Sequence, residues 1–281
     1  AREPARPQFS RAVLPDRVLD DARVTVRDGR IAEVGPHPAG TAADVDGGGA
    51  YCLPGLVDVH SDGLERERMP RPGAEVPWRF ALLSFEGKLR AAGITTVFHG
   101  AAFEQGAGSL KVRSVDAALE LCRQVDGRGD GPVEHRVLHR LDVRSREGLA
   151  ALRTRLAGLG ATALVSHEDH TPGQGQYADR RFYERWVMGT RDLTADQARA
   201  HVDAFVAARD ANLDVRDEAL SVLGGLARAG AVRLVGHDPA SAAEIAALAG
   251  RGGAVAEFPT TVEAAVAARE RGMPVVMGAP N

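Results

Sequence analysis

The sequence predicts an α/β protein: a TIM-like (β/α)8 barrel, with about seven of its strands in this chain, preceded by a small N-terminal β module. Three observations carry that expectation. From residue 53 onward short apolar runs alternate with segments of helical period. Strands alternating with helices build a parallel sheet, and this many repeats favours a barrel over an open sheet. The first fifty or so residues read differently, as short strands around a tight turn.

In that first segment Ala22–Val26 and Arg30–Val34 flank Arg27-Asp28-Gly29, a β-hairpin pattern. Gly47 to Gly49 make a flexible joint. Residues 1–52 are therefore expected to be a β-sandwich module, or the N-terminal part of one, and 53–281 the barrel. The barrel strands are the apolar runs Leu56–His60, Ile94–Phe98, Arg136–Leu141, Ala163–Ser166, Val232–Gly236, Ala254–Phe258 and Pro274–Met277. Between them Leu82, Phe85 and Leu89, then Val112, Val115, Leu119 and Cys122, then Leu149, Leu152, Leu156 and Leu159 step by three and four. Thr194-x-x-Gln197 and Thr260-x-x-Glu263 are capping boxes, and Asp238-Pro239 is a cap with proline at the first helical position. Gly93, Gly160, Gly230, Gly250 and Gly272 are expected to close helices. Seven strands would leave two apolar parallel edges open, so the expectation is that an eighth strand and a C-terminal tail are missing from the sequence.

Composition narrows the function. With 281 residues and 44% apolar content the chain can bury a sizeable core. No apolar run approaches the length of a membrane span, and AREPARPQFS lacks the apolar centre of a signal peptide. Two cysteines, Cys52 and Cys122, make no disulfide framework, which fits a reducing compartment and the cytoplasm. A net charge of −3 gives no reason to expect nucleic acid as a partner. Lys88 and Lys111 are the only lysines, both in or beside helix patterns, so a carboxylated lysine bridging two metals is set aside.

The chemistry is expected at the C-terminal ends of the strands. The first strand ends in His60-Ser61-Asp62, and period-two alternation puts that imidazole and carboxylate on one face, where they can ligate a divalent metal. Six of the nine histidines (His60, His99, His139, His167, His170 and His237) fall at predicted strand ends, as do Asp142, Glu168, Glu257 and Asn281. Ordinary core or surface histidines have no reason to collect on one rim, so a metal site is predicted. His170 is preferred to His167, because Thr171-Pro172-Gly173 presents it on a turn. Asp238 is read as a helix cap. Arg66, Arg68, Arg71 and Arg140 lie near the same rim, with Pro70 and Pro72 bracing the loop, and Gly173-Gln174-Gly175-Gln176 offers free amides. Arginine forks and exposed amides suit a polyphosphate or another anion, although Arg68 reads more simply as a solvated charge.

Taken together, LPGLVDVHSDGLER, GITTVFHG, EHRVLHRLDV, DHTPGQGQ, GHDPAS, AEFPTTVEAA and MGAPN resemble the amidohydrolase superfamily. Within it they are similar to the diphosphatases of the carbon–phosphorus lyase pathway of phosphonate degradation, which act on α-D-ribose 1-methylphosphonate 5-triphosphate. The resemblance runs from about residue 53 to 281. It implies a hydrolase that uses one or two divalent ions (Zn, Mn or Fe) to release pyrophosphate and leave the 5-phosphate of a small phosphorylated sugar. Neither a nucleic acid nor a membrane partner is implied, and a homodimer is compatible. The implied metal ligands are His60, Asp62, Asp142, His170 and His237. The implied catalytic residues are His237 and Asp142, and the implied phosphate contacts are Arg66, Arg71, Arg140 and Gln174. Three departures stand out. Asp142 replaces an expected Glu, Gly63 an expected Asn, and the strand-8 aspartate that should act as general base is absent. The competing expectations are an amide-cleaving relative, such as a deacetylase or a cyclic amidohydrolase, and a non-catalytic relative.

Overall fold

The computed structural model describes residues 6–71, 73–104 and 113–278. Pro72, Lys111, Val112 and Asn281, each given a role above, lie outside the described residues. The chain divides into two compact units, Ala1–Leu56 and Val57–Asn281.

The first unit is one sheet built from β1 (Pro7–Val13), β2 (Val18–Arg27), β3 (Arg30–Pro36), β4 (Val45–Asp46) and β5 (Tyr51–Cys52). β2 and β3 pair antiparallel around Asp28-Gly29, whose φ values of 51° and 73° are those of the primed turn that matches strand twist. β1 pairs antiparallel with β2 and parallel with both β4 and β5. A second sheet, as a sandwich requires, is not found among the described residues of this unit.

The second unit is the barrel. Its strands are β6 (Leu56–Ser61), β7 (Ile94–Phe103), β8 (Glu134–Asp142), β9 (Ala163–Glu168), β10 (Val232–His237), β11 (Val255–Glu257) and β12 (Val275–Val276), one for each predicted apolar run. They hydrogen-bond in sequence order from β6 to β12. The sheet curls until His60 on β6 meets Glu257 on β11, which makes a nearly closed barrel. The surrounding helices are α1 (Gly63–Arg68), α2 (Trp78–Ala91), α3 (Val115–Asp126), α4 (Arg146–Ala157), α5 (Arg180–Arg191), α6 (Ala195–Asp210), α7 (Leu213–Arg228), α8 (Ala242–Gly250) and α9 (Val262–Glu270). The main core lies between strands and helices, where Leu82, Cys122, Leu149 and Leu152 meet Phe103, Leu141 and Val165. A satellite core of Val187, Ala198 and Val202 joins α5 to α6. No described helix is long and apolar enough to cross a membrane.

Local signals resolve as follows. The capping box at Thr194 forms in full, with Thr194 Oγ1 accepting from the Gln197 amide and Gln197 Oε1 accepting from the Thr194 amide. The cap of α9 is Thr261, one residue beyond the predicted Thr260, because Glu263 instead accepts from the amide of Ala242. Ser241, not Asp238, caps α8. Gly93, Gly230 and Gly272 take left-handed φ just past α2, α7 and α9, as helix stops do. Gly160 and Gly250 do not; α4 stops at Gly158 and α8 at Arg251. Gly63 opens α1 with the ring of Phe85 only 2.4 Å from where a Cβ would stand, so a larger residue does not fit there.

Candidate metal centre

Strand parity sorts the histidines. Side chains alternate across a strand. The parallel register sets Arg140 beside Ser166, Asp142 beside Glu168, Ser166 beside Val235 and His237 beside Glu257. Arg140, Asp142, Ser166, Glu168, His237 and Glu257 therefore share one face, the one where His60 meets Glu257. His99, His139 and His167 have the opposite parity and turn to the helices. β7 runs on to Phe103, so His99 lies mid-strand with its Nε2 2.8 Å from His135 Nδ1. His139 sits three residues before the end of β8, against the Leu164 carbonyl and Phe103. Four of the six predicted rim histidines thus remain at strand ends, and His60, His170 and His237 point into the barrel mouth.

These three converge. The His60 and His237 ring centroids are 5.3 Å apart, and those of His170 and His237 are 5.2 Å apart. Two groups of metal-ligating type share His237: His60 with Glu257, and Glu168 with His170. Neither glutamate is among the site residues predicted from sequence, although both close a strand on the inward parity. Glu257 is buried and its carboxylate spans both imidazoles. Oε2 lies 2.7 Å from His237 Nδ1 and also accepts from Ser166 Oγ at 2.8 Å, while Oε1 lies 2.9 Å from His60 Nδ1. Burial alone would raise its pKa, but the histidine contacts hold it at about 2. A carboxylate on each Nδ1 leaves the Nε2 atoms free to face a cation.

A further acid completes the cluster. Asp238 takes a positive φ of 50° and is 4% exposed, and neither of its carboxylate oxygens has a hydrogen-bond partner among the described residues. Its Oδ2 lies 3.4 Å from His237 Nε2 and 3.9 Å from His170 Nε2, which is itself buried and unpartnered. Asp238 stands outside both metal-capable groups but within 4 Å of the two imidazoles that belong to the group with Glu168. Burial raises Asp238 to about 6 and lowers His170 to about 4, which keeps that imidazole neutral and able to ligate. Burial would lower His237 too, but Glu168, Glu257 and Asp238 reverse the direction and raise it. That reversal reports concentrated negative charge, the complement of a divalent ion. The helix-cap reading of Asp238 is thereby corrected: its φ takes it out of the capping geometry, and its side chain turns to the histidines.

The other predicted residues sit as follows. Asp62 is beside His60, with 3.8 Å from its Oδ1 to His60 Nε2, but Arg140 and Arg113 donate to its two oxygens at 2.7 and 2.8 Å. Burial would raise Asp62, and these arginines hold it below the usual carboxylate range. Asp142 is not in either metal-capable group. Arg209 of α6 grips both of its oxygens, one at 2.7 Å, and the Arg144 amide donates to it at 3.0 Å. The shorter acid is thus neutralised by a guanidinium, and Glu168 is the acid that stands with His170 and His237. Arg140 is not free for phosphate, being 3% exposed and bound to Asp62 and Glu168. Gln174 donates to the Asp169 carbonyl at 3.0 Å. Arg66 and Arg71 are exposed and make no ion pair among the described residues. Arg68 pairs with Glu75 and lies over Trp78.

A comparison with curated proteins finds α-D-ribose 1-methylphosphonate 5-triphosphate diphosphatase of Escherichia coli (strain K12), 32% identical over 270 residues, covering 96% of this chain and 70% of that protein. Among solved structures, N-acetyl-D-glucosamine-6-phosphate deacetylase from Mycobacterium smegmatis superposes with a TM-score of 0.57 at 16% identity over 98% of the chain. The chain spans 63% of that deacetylase's length. Triazine hydrolase from Arthobacter aurescens gives a TM-score of 0.54 at 13% identity, over 99% of this chain and 72% of its own. These two likenesses are of fold. No family profile matches the chain.

Proposed function

Because the chain belongs to the family of α-D-ribose 1-methylphosphonate 5-triphosphate diphosphatases within the amidohydrolase superfamily, we propose that it is a metal-dependent hydrolase of that substrate. It would release pyrophosphate and leave ribose 1-methylphosphonate 5-phosphate. The observation that carries the metal-dependent part is the Glu168–His170–His237 group, whose ligating atoms lie within 4.8 Å of one another, with the buried, unpartnered Asp238 carboxylate beside it. The substrate rests on the relative and on the arginines.

The donor set is imidazole and carboxylate, which suits Zn, Mn or Fe. His170, His237 and a Glu168 oxygen would hold the ion, with the Asp238 carboxylate beside them. A divalent ion in such a place supplies Lewis-acid polarisation of a phosphoryl oxygen and lowers the pKa of water. Glu257 accepts at His237 Nδ1 and sets its other oxygen 2.9 Å from His60 Nδ1, which keeps both rings aimed. Asp238 Oδ1, buried and unpartnered, is placed to take a proton from the attacking water. Arg66 and Arg71, exposed on α1 and the loop after it, would receive the outer phosphates as pyrophosphate leaves. Phe258 packs on His60 and His237 and excludes water from their flank.

The test is phosphorus NMR of the full chain, loaded with Mn²⁺ or Zn²⁺, on ribose 1-methylphosphonate 5-triphosphate, with an N-acetylated sugar phosphate as the amide comparison. Pyrophosphate appearing with a 5-monophosphate is expected. Turnover of the amide alone would overturn the diphosphatase reading and favour the deacetylase chemistry.

A further inference from the structure

The connection from β9 to β10 carries α5 and α6 before α7 returns to the sheet. The last turn of α6 brings Arg209 back to the strand ends, where it is 7% exposed. Its Nη1 and Nη2 donate to the two oxygens of Asp142, the second at 2.7 Å. Its Nε donates to Thr171 Oγ1 at 3.0 Å, and Nη2 reaches Asp169 Oδ1 at 3.2 Å. Asp169 and Thr171 are the two neighbours of His170 in the chain.

Those neighbours are also bound to each other. Asp169 Oδ1 accepts from the amide and the hydroxyl of Thr171 at 3.2 and 2.6 Å, and Asp169 Oδ2 accepts from Arg144 Nε at 2.8 Å. The His170 ring, by contrast, makes no hydrogen bond among the described residues. Its Nε2 is unpartnered, and its Nδ1 is 3.9 Å from Glu168 Oε2. His60 and His237 differ, since each has its Nδ1 beside Glu257. The direction of His170 is therefore set by its turn, and the guanidinium holds both flanks of that turn. Only a planar fork with several donors can meet Asp142, Asp169 and Thr171 together. A run of rings closes the same circuit. Arg209 lies over Phe205, Phe205 stacks on Tyr183, Tyr183 meets Tyr177 edge-on, and Tyr177 meets His170 edge-on.

We propose that Arg209 is a positioning residue of the metal centre: it locks the Asp169–Thr171 turn so that His170 faces His237. The inference rests on the metal-dependent reading above for the role of His170. It gives the α5–α6 excursion a task in the site.

The experiment records long-range proton–nitrogen-15 spectra of the histidines in the full chain, stripped of metal and then titrated with Zn²⁺. The parent is compared with Arg209→Met, and His170 is assigned through His170→Gln. In Arg209→Met the His170 signals of the stripped chain are expected to shift and broaden while those of His60 and His99 stay. Zn²⁺ affinity, read by competition with a chromogenic chelator, is expected to fall about 10-fold or more. Unmoved His170 signals, or a Zn²⁺ affinity equal to the parent's, would overturn the inference. Equal movement of all three histidines would do the same, being the mark of general loosening. A parent chain that takes up no Zn²⁺ would overturn the metal-dependent reading instead, and the signals of the stripped chain would still decide the part played by Arg209. Should Arg209→Met not fold, Arg209→Lys keeps a charge for Asp142 and Asp169 without the fork and is read in the same way.

Discussion

Asp238 is the residue on which the reading of this centre turns most. A buried carboxylate without hydrogen bonds costs several kcal/mol unless something charged meets it, and Asp238 faces two imidazole nitrogens at 3.4 and 3.9 Å. Asp238→Asn should therefore weaken Mn²⁺ or Zn²⁺ binding and cut pyrophosphate release by about 10²-fold or more even at saturating metal. Competition against a chromogenic chelator reads the first, and phosphate-product assays read the second; unchanged values for both would remove Asp238 from the site. Glu257 acts at one remove. In Glu257→Gln the side chain loses the charge that sits between the His237 and His60 Nδ1 atoms, so metal affinity should fall by about 10–100-fold. The nitrogen-15 spectra of the histidines should change with it, because the His60 and His237 tautomers lose their common anchor. Histidines were the legible part of this centre, since they are few and lie at strand ends. The glutamates and Asp238 were harder to pick out, because acids at strand and helix boundaries usually cap or solvate.

At the scale of elements, each strand was legible from its apolar run, and α2, α3 and α4 from their period, because both patterns express burial against the same layer. Strand ends were less so. β7 extends five residues past the predicted Phe98 through Gly100-Ala101-Ala102, small residues with weak strand preference that pairing to β8 nevertheless holds extended. That extension moves His99 from the rim into the helix-facing layer. Gly100 makes a separate prediction for this strand. Gly100→Ala should cost about 1–3 kcal/mol by overpacking Arg140 and Asp62, visible as a lower midpoint in urea. At the other end of the scale Thr194→Ala removes a complete capping box and should cost about 1 kcal/mol, read in the same urea titration, since the box holds the first turn of α6 against the satellite core.

For the whole molecule, acid stability follows from histidines that never reach the site. Burial lowers His99 to about 3 and His139 to about 4. Both stay neutral in the folded chain while the unfolded chain takes up their protons near pH 6.5. A folded pKa below the unfolded one means stability that is whole above pH 6.5 and is lost as pH falls toward 4 and then 3. Each histidine contributes roughly 1 kcal/mol per pH unit in that window. Urea midpoints at pH 7.5 and 5.5 should differ accordingly, and His99→Asn should flatten the difference; equal midpoints in the parent chain would contradict the buried neutral state. Chelation should also lower the thermal midpoint, because an ion that binds only the folded barrel stabilises it by mass action.

The α/β class, the seven strands in order and the histidine-rich strand ends were all written in local pattern, since period and residue type depend on near neighbours. Which acids meet those histidines was not. Asp142 lies inward beside Glu168 and matches it in charge, yet Arg209, sixty-seven residues on, takes Asp142, while Arg140 binds Glu168 and stops short of His237. Pairings of that kind depend on which side chains the barrel's closure brings within 3 Å of one another, and the order of residues along the chain carries no record of that distance.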